Sequence, residues 1–226
     1  MQYKFDFGQH IHLLDGKPLI GVTTALQVIA KPFLIQWSAN MACDYVRTNL
    51  KDIEDLEEIL TEAKLAHKKK KEKAGGWGTE LHKAIEQWIK DGNEPVLKGD
   101  NQQIVFDKFK DWAKKNGVEF LENEKHVYSK ELWIGGVLDL VIKMDGKKYI
   151  GDIKTSSGIY NEAFFQMGAY NLCLEEMGEH TDVEGYLVIN LKKDGKMDMK
   201  MAIDMQLNKD AFKCALGLYK IINSLK

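Results

Sequence analysis

Within "GGVLDLVIKM" and "YIGDIKTSSG", three charged side chains stand where a sheet strand calls for apolar ones: Asp139, Asp152 and Lys154. Val137 and Val141 share a face with Asp139, and Leu138, Leu140 and Ile142 take the other, so both faces of that run are hydrophobic. An ionised carboxylate in such a setting is costly unless a cation or a donor meets it. Side chains two apart on a strand point the same way, which puts Asp152 and Lys154 about 6–7 Å apart on one face. If the tight "MDGK" turn pairs the two runs, Asp139 and Asp152 converge. Two carboxylates and an amine suit a hard divalent cation, Mg2+ or Mn2+, with room for water and phosphate. Such an ion polarises a phosphoryl oxygen and acidifies a bound water, while the ammonium steadies charge that builds in the transition state. An Asp–Lys ion pair buried in a sheet, with no catalysis, satisfies the same residues.

A helix earlier in the chain bears on that choice. "TELHKAIEQWIK" has Leu81, Ala84, Ile85, Trp88 and Ile89 on its apolar face, with His82 at the border and Glu86 one turn on. A border histidine reaches a metal without leaving its packing position; alone, it reads more often as a hydrogen-bonded helix residue than as a ligand. His10, His12, His67, His126 and His180 have no comparable setting and read as ordinary histidines.

The elements that must hold these residues follow from periodicity. The first 22 residues alternate and turn at "LDGKP", which predicts a hairpin; Thr23 and Thr24 are placed to cap a short helix that Pro32 stops. Helical spacing runs from Gln36 to Arg47 and from Asp52 to Lys73. Gly75, Gly76 and Gly78 predict a break before the 79–90 helix, with Thr79 as its N-cap and Gly92 ending it; a further helix spans 100–115. The period then changes to two: strands at 118–129, 132–144 and 147–155, a helix at 160–178, strands at 183–191 and 197–203, and a last helix at 208–222. This order predicts an α/β fold with a mixed central sheet flanked by helices, preceded by a mainly helical N-terminal part. The expected division is 1–77, a hairpin and helical region packed on the core, and 78–226, the core itself.

Composition narrows the setting. At 226 residues, with 44% hydrophobic and 29% charged side chains, the chain has apolar surface enough for a core. The net charge of −2 gives no global sign of a nucleic-acid binder, but "AKLAHKKKKEK" packs six lysines into eleven residues. Taken in isolation, such a run is usually a solvated helix end. Cys43, Cys173 and Cys214 are odd in number and form no CxxC pair, which argues against a zinc site, an iron–sulfur cluster or disulfides and for reduced intracellular thiols. "MQYKFDFGQHIHLL" lacks the basic-then-apolar order of a signal peptide, and the apolar runs are too short for a membrane span. A cytoplasmic protein of cellular or phage origin is the expectation, with no membrane partner.

Taken in order, "GTELHKAIE", Glu124 in "ENEKHVYS", "GGVLDLVI", "IGDIKTS" and "FFQMGAY" resemble the motif series of the RecB-like branch of the PD-(D/E)XK nuclease superfamily. Each motif is weak by itself; five in this order, over about 78–172, make the resemblance specific. It implies a restriction-endonuclease-like core and a divalent-metal-dependent DNA exonuclease of recombination, repair or replication, acting on single-stranded or duplex ends, with a preference for single-stranded ends as the expectation. By the resemblance, His82, Asp139, Asp152 and the Ile153 carbonyl hold one or two Mg2+ or Mn2+ ions. Lys154 is the catalytic lysine, and Glu124 supports the site or a second metal. Gln166 and Tyr170 match a QxxxY motif that borders the site and contacts DNA, and Thr155 and Ser156 are placed to donate to a phosphate. Here Leu138 stands for the proline and Asp152 for the glutamate of the signature, both tolerated in the family; the cysteines of its iron–sulfur members are lacking. Lys69, Lys70 and Trp77, just before the motif helix, are placed to meet the DNA backbone and to stack on a base of a single strand. A recombinase, helicase or single-strand-binding protein is the implied kind of protein partner. An endonuclease of the same fold, a non-catalytic DNA-binding or assembly module, and a metal-dependent hydrolase of another substrate remain open.

Overall fold

The computed structural model describes residues 2–51, 56–99 and 101–224. Three short strands open the chain, β1 (Tyr3–Asp6), β2 (Ile11–Leu14) and β3 (Lys17–Pro18), paired in that order into a small antiparallel sheet. The expected turn at "LDGKP" is present, with Asp15 at φ 48° and Gly16 at φ 76°, but it joins β2 to β3, and the β1–β2 hairpin turns earlier, over 7–10. β4 (Ile20–Gly21) and the one-turn α1 (Val22–Ala25) follow, then a single 3-10 turn and α2 (Pro32–Asn49). Neither threonine caps α1, whose N-cap is Gly21 with no side-chain bond. Pro32 starts α2 rather than stopping its predecessor, since a first-turn proline gives up an N–H that has no helical partner anyway.

The 36-residue α3 (Leu56–Asp91) runs unbroken through Gly75, Gly76 and Gly78. The predicted break is therefore wrong, as is the cap: the Thr79 hydroxyl donates to the Gly75 carbonyl one turn back, the bond of a residue inside a helix. Each interior glycine costs a helix about 1 kcal/mol, a sum that 36 residues of continuous ladder outweigh. Gly92, at φ 74°, does end it. The expected start of this helix at Asp52 lies outside the described residues. α4 (Gln102–Lys115), β5 (Glu119–Ser129), β6 (Ile134–Met144), β7 (Lys147–Lys154), α5 (Asn161–Met177), β8 (Val183–Leu191), β9 (Met197–Ala202) and α6 (Met205–Ser224) complete the chain close to the predicted limits.

The described residues divide into two compact units. One comprises Ile29–Glu80; the other joins the residues up to Val28 with those from Leu81 on. In the first, Ile59 and Ala63 of α3 are buried, whereas no residue of α2 is. The second contains a six-stranded mixed sheet, flanked by helices, in the order β4-β6-β7-β8-β9, with β5 also on β6. β6 and β7 are antiparallel through an Asp145-Gly146 turn in which both residues have positive φ, the geometry a two-residue hairpin needs. β7 and β8 are parallel, linked across by α5. Leu138, Leu140, Ile142, Ile150, Tyr186 and Val188 form the sealed centre of the sheet.

The ladder of this sheet is broken at one place. β7 pairs with β6 from Met144↔Lys147 to Leu140↔Gly151 and then leaves it. β4 takes up β6 again at Ile134 and Gly135, while β5 covers the other edge throughout. The stretch 136–139 thus has no ladder partner on one edge, and the sheet is split there. α5 and α6 pack close because Gly168 has no side chain: a Cβ there would lie 2.7 Å from the Asn208 carbonyl oxygen.

A Cβ at Gly75 or Gly76 would meet nothing within 4 Å. Gly75→Ala and Gly76→Ala should each stabilise α3 by about 0.5–1 kcal/mol, read as a raised urea midpoint with unchanged slope. No gain from either would mean that the helix is interrupted there.

Candidate active site

Asp139 is the β6 residue at the mouth of the split. Two residues beyond the last paired position, Ile153 of β7 gives its N–H to Asp139 Oδ2 at 2.7 Å, so the carboxylate replaces the ladder partner that the diverging strand has lost. Asp152 and Lys154 lie on one face of β7, as alternation requires, and Lys154 Nζ donates to Asp152 Oδ1 at 2.7 Å. The other oxygen, Asp152 Oδ2, is buried with no hydrogen-bond partner among the described residues. An orphaned carboxylate oxygen in a side chain only 1% exposed costs free energy unless something positive reaches it.

Glu124 comes from β5, where it stands opposite Asp139 by register. Its φ is 50°, a left-handed backbone that costs a non-glycine residue about 1 kcal/mol or more. The kink interrupts alternation. Asn123 donates to the Glu86 carbonyl of α3 at 3.1 Å, and Glu124 also turns that way, feeling the charges of Asp139 and Glu86. Glu122 and Lys125 point away together, to His180 and Glu179. Two successive side chains are thereby given to one side of the strand, and Glu124 joins the site.

His82, half-buried on α3, completes the group: one nitrogen of His82 and one oxygen each of Glu124 and Asp139 lie within 4.8 Å of one another. The His82 ring is also bonded to the backbone of Ile153. Burial and the Lys154 charge hold the imidazole below its usual pKa, so it is neutral and its free lone pair is open to a Lewis acid. The carboxyls shift the other way. Burial, then the charges of Asp139 and Glu86, push Glu124 up to about 7. Burial and the neighbouring Asp139 raise Asp152 against the pull of Lys154, and burial raises Asp139. Burial works against the charge on Lys154, but Asp152 and Asp139 more than offset it, so the ammonium persists at neutral pH. Three carboxyls share one ammonium. The donor set, the orphaned oxygen and the unmet negative charge all fit a divalent cation.

Gln166 and Tyr170, one turn apart on α5, form a chain behind the lysine. Lys154 Nζ donates to Gln166 Oε1 at 3.3 Å, and Gln166 Nε2 donates to the Tyr170 hydroxyl at 2.7 Å. The Tyr170 ring is buried against Gly136, where a Cβ would come within 2.6 Å of it. Ser156 spends its groups locally: its hydroxyl donates to the Gly158 carbonyl at 2.6 Å and its N–H to Asn190 Oδ1 at 3.1 Å. Thr155 is half-buried beside it. Trp77, Lys69 and Lys70 belong to the other compact unit, where Lys69 pairs with Glu62 and Lys70 Nζ lies 3.4 Å from the Met41 sulfur.

Two supports have little signal in the sequence. Asn190, buried on β8 beside Lys154, also donates to the Ser156 carbonyl at 3.1 Å, so its amide clamps the loop after the lysine from both sides. A lone amide in "GYLVINL" is its only mark. Gly136 is signalled only by a glycine pair in an apolar strand.

No protein-family model matches the chain, and no curated protein does. Among solved structures the chain is similar to a phage-related exonuclease from Haemophilus somnus 129PT, at 11% identity over 92% of this chain and 96% of that one, with a TM-score of 0.38. It is also similar to a structure described as SSO0001, at 14% identity over 62% of this chain and 86% of that one, with a TM-score of 0.29. Both likenesses are loose, and the chemistry of the site rests on its own residues.

The raised carboxyls set a pH dependence. Between the ordinary glutamate pKa and about 7, the folded metal-free chain holds a proton on Glu124 that the unfolded chain has lost, so stability falls as pH rises through that window. Burial holds His12, His82 and His126 below their usual range and acts in the opposite sense, so the Glu124 contribution is read as the difference between wild type and a variant of the metal-free protein at pH ~5.5 and pH ~8. Glu124→Gln should recover on the order of 1–3 kcal/mol at the higher pH and flatten the profile. A profile of the same slope in the variant would remove Glu124 from the charge cluster.

Proposed function

We propose that the protein is a divalent-metal-dependent nuclease that hydrolyses phosphodiester bonds of DNA, working as an exonuclease. The observation that carries this reading is the convergence of His82, Glu124 and Asp139, with the Lys154–Asp152 pair and its unmet carboxylate oxygen nearby on β7, at a split in the sheet. His82, Glu124 and Asp139 would hold the cation, with the unmet oxygen of Asp152 as a further ligand. One imidazole among carboxylates favours Mn2+ over Mg2+. A cation bound there supplies Lewis acidity to a phosphoryl oxygen and lowers the pKa of a water.

The chain's own residues do the rest. Lys154, protonated and held by Asp152 and Gln166, presents its remaining N–H toward the reacting phosphate, where negative charge grows in the transition state. Tyr170 fixes Gln166 and so fixes the lysine; in this reading the Gln–Tyr pair orients Lys154 and borders the DNA path. The Asn190 clamp keeps the following loop from drawing Lys154 out of line. The lysines of α3 supply positive charge for a polyanion within the other unit.

End-labelled single- and double-stranded DNA incubated with Mn2+ or Mg2+ should lose nucleotides from its ends, while closed circles stay intact. Lys154→Ala should lower the rate by about two orders of magnitude or more with the fold retained. A variant that cuts as well as wild type would remove Lys154 from catalysis, and cut circles would make the enzyme an endonuclease.

A further inference from the structure

The nuclease chemistry leaves unused a cluster of aromatic rings and histidines between the N-terminal hairpin and β5. Tyr3 and Phe5 of β1, Phe7 and His10 of the turn, His12 of β2, and His126 and Tyr128 of β5 all take part. Phe5 lies 4.6 Å from the His126 ring and 4.8 Å from His12, Tyr3 stacks on Tyr128 at 4.6 Å with planes 7° apart, and the Tyr3 hydroxyl lies 2.6 Å from His12 Nδ1. The hairpin is fixed where it is: at Gly135 of β6, a Cβ would stand 2.8 Å from that of His12.

The outer part of this cluster is not closed. Phe7 is 79% exposed. It meets Phe5 at 4.9 Å and 86° and His126 at 6.1 Å and 80°, both T-shaped contacts, and most of its surface stays open to solvent. His10, also exposed, meets Phe5 edge-on at 5.2 Å and 71°. The Asp6 carboxylate accepts the Gly8 N–H at 2.9 Å and the Gln9 N–H at 3.0 Å, so the turn that carries Phe7 and His10 is held in shape. A ring needed only for packing would be turned inward; this one is presented on a braced turn.

Its position ties it to the site. Beyond the kink at Glu124, alternation along β5 resumes, and His126 and Tyr128 face the hairpin on the side to which Glu124 turns. His126 is two residues from Glu124, a step of about 6–7 Å along a strand, the scale of one nucleotide in an extended chain. The chemistry selects the form of the nucleic acid. Base pairs stacked in a duplex have no free faces, and a duplex backbone calls for a row of cations, whereas this surface offers an exposed aromatic ring on an aromatic cluster.

Resting on the nuclease reading of the carboxyl site, we propose that Phe5, Phe7, His10 and His126 form a stacking platform for the unpaired bases of single-stranded DNA beside the Glu124–Asp139 site. The platform makes a single-stranded end or overhang the preferred substrate.

The test is binding of a short fluorescein-labelled oligothymidylate to the full chain in EDTA, followed by anisotropy beside a blunt duplex of the same length. Phe7→Ala, at a side chain too exposed to hold the fold, should raise the Kd for the single strand about fivefold to a hundredfold, the weight of one base–aromatic stack. The duplex Kd should stay unchanged, and Phe7→Trp should restore single-strand binding. Phe7→Ala binding the single strand as wild type does would overturn the platform, as would equal losses on single strand and duplex. Hydrolysis plays no part in this readout, so a wild-type protein that binds in this way but never cleaves would count against the nuclease reading alone.

Discussion

Three carboxyls and one ammonium share a half-buried split in a sheet, and the arrangement around them follows from that imbalance. Asp139 is held by the Ile153 N–H, and Asp152 gives one oxygen to Lys154 and leaves the other unmet. Glu124 is turned into the same space by a left-handed residue in mid-strand. Each arrangement is costly by itself, through a buried charge, an orphaned oxygen or a strained backbone. Costs that cluster in this way belong to a site rather than to a fold, since an apolar strand would pack at least as well. The neutral imidazole of His82 adds a lone pair to the group without adding charge.

The supports are as specific as the site. Gly136 makes room for Tyr170, Tyr170 holds Gln166, and Gln166 holds Lys154, so a missing side chain on β6 sets the position of an ammonium on β7. Gly168 lets α6 press on α5 and fixes the helix that carries the pair. Asn190 ties down the loop beyond the lysine. The residues themselves come from α3, β5, β6, β7 and α5, so the site exists only once the sheet and its helices are assembled.

What is legible in the sequence is what the period of a strand makes local. Asp139, Asp152 and Lys154 stand out because charge interrupts apolar runs, and the "MDGK" turn foretells which two strands meet. The strands and helices after residue 100 are readable for the same reason. Glycine and proline mislead where tertiary or helical context overrides local preference, at Gly75–Gly78 inside α3 and at Pro32. The split of the sheet, the kink at Glu124 and the role of Asn190 depend on strands far apart in the chain, and no spacing encodes them. The aromatic hairpin is equally hidden: its rings lie in short segments with no period, and only folding sets Phe5 against His126.

On the proposed reading, the carboxyl cluster takes up a divalent cation by giving up protons. Calorimetric titration of the protein with Mn2+ near neutral pH, repeated in buffers of different ionisation enthalpy, tests it most directly. Binding should release protons from Glu124 and Asp152, weaken as the pH falls below about 7, and lose part of that release in Glu124→Gln. Absence of binding, or binding that neither releases protons nor changes in Asp139→Asn, would contradict the claim.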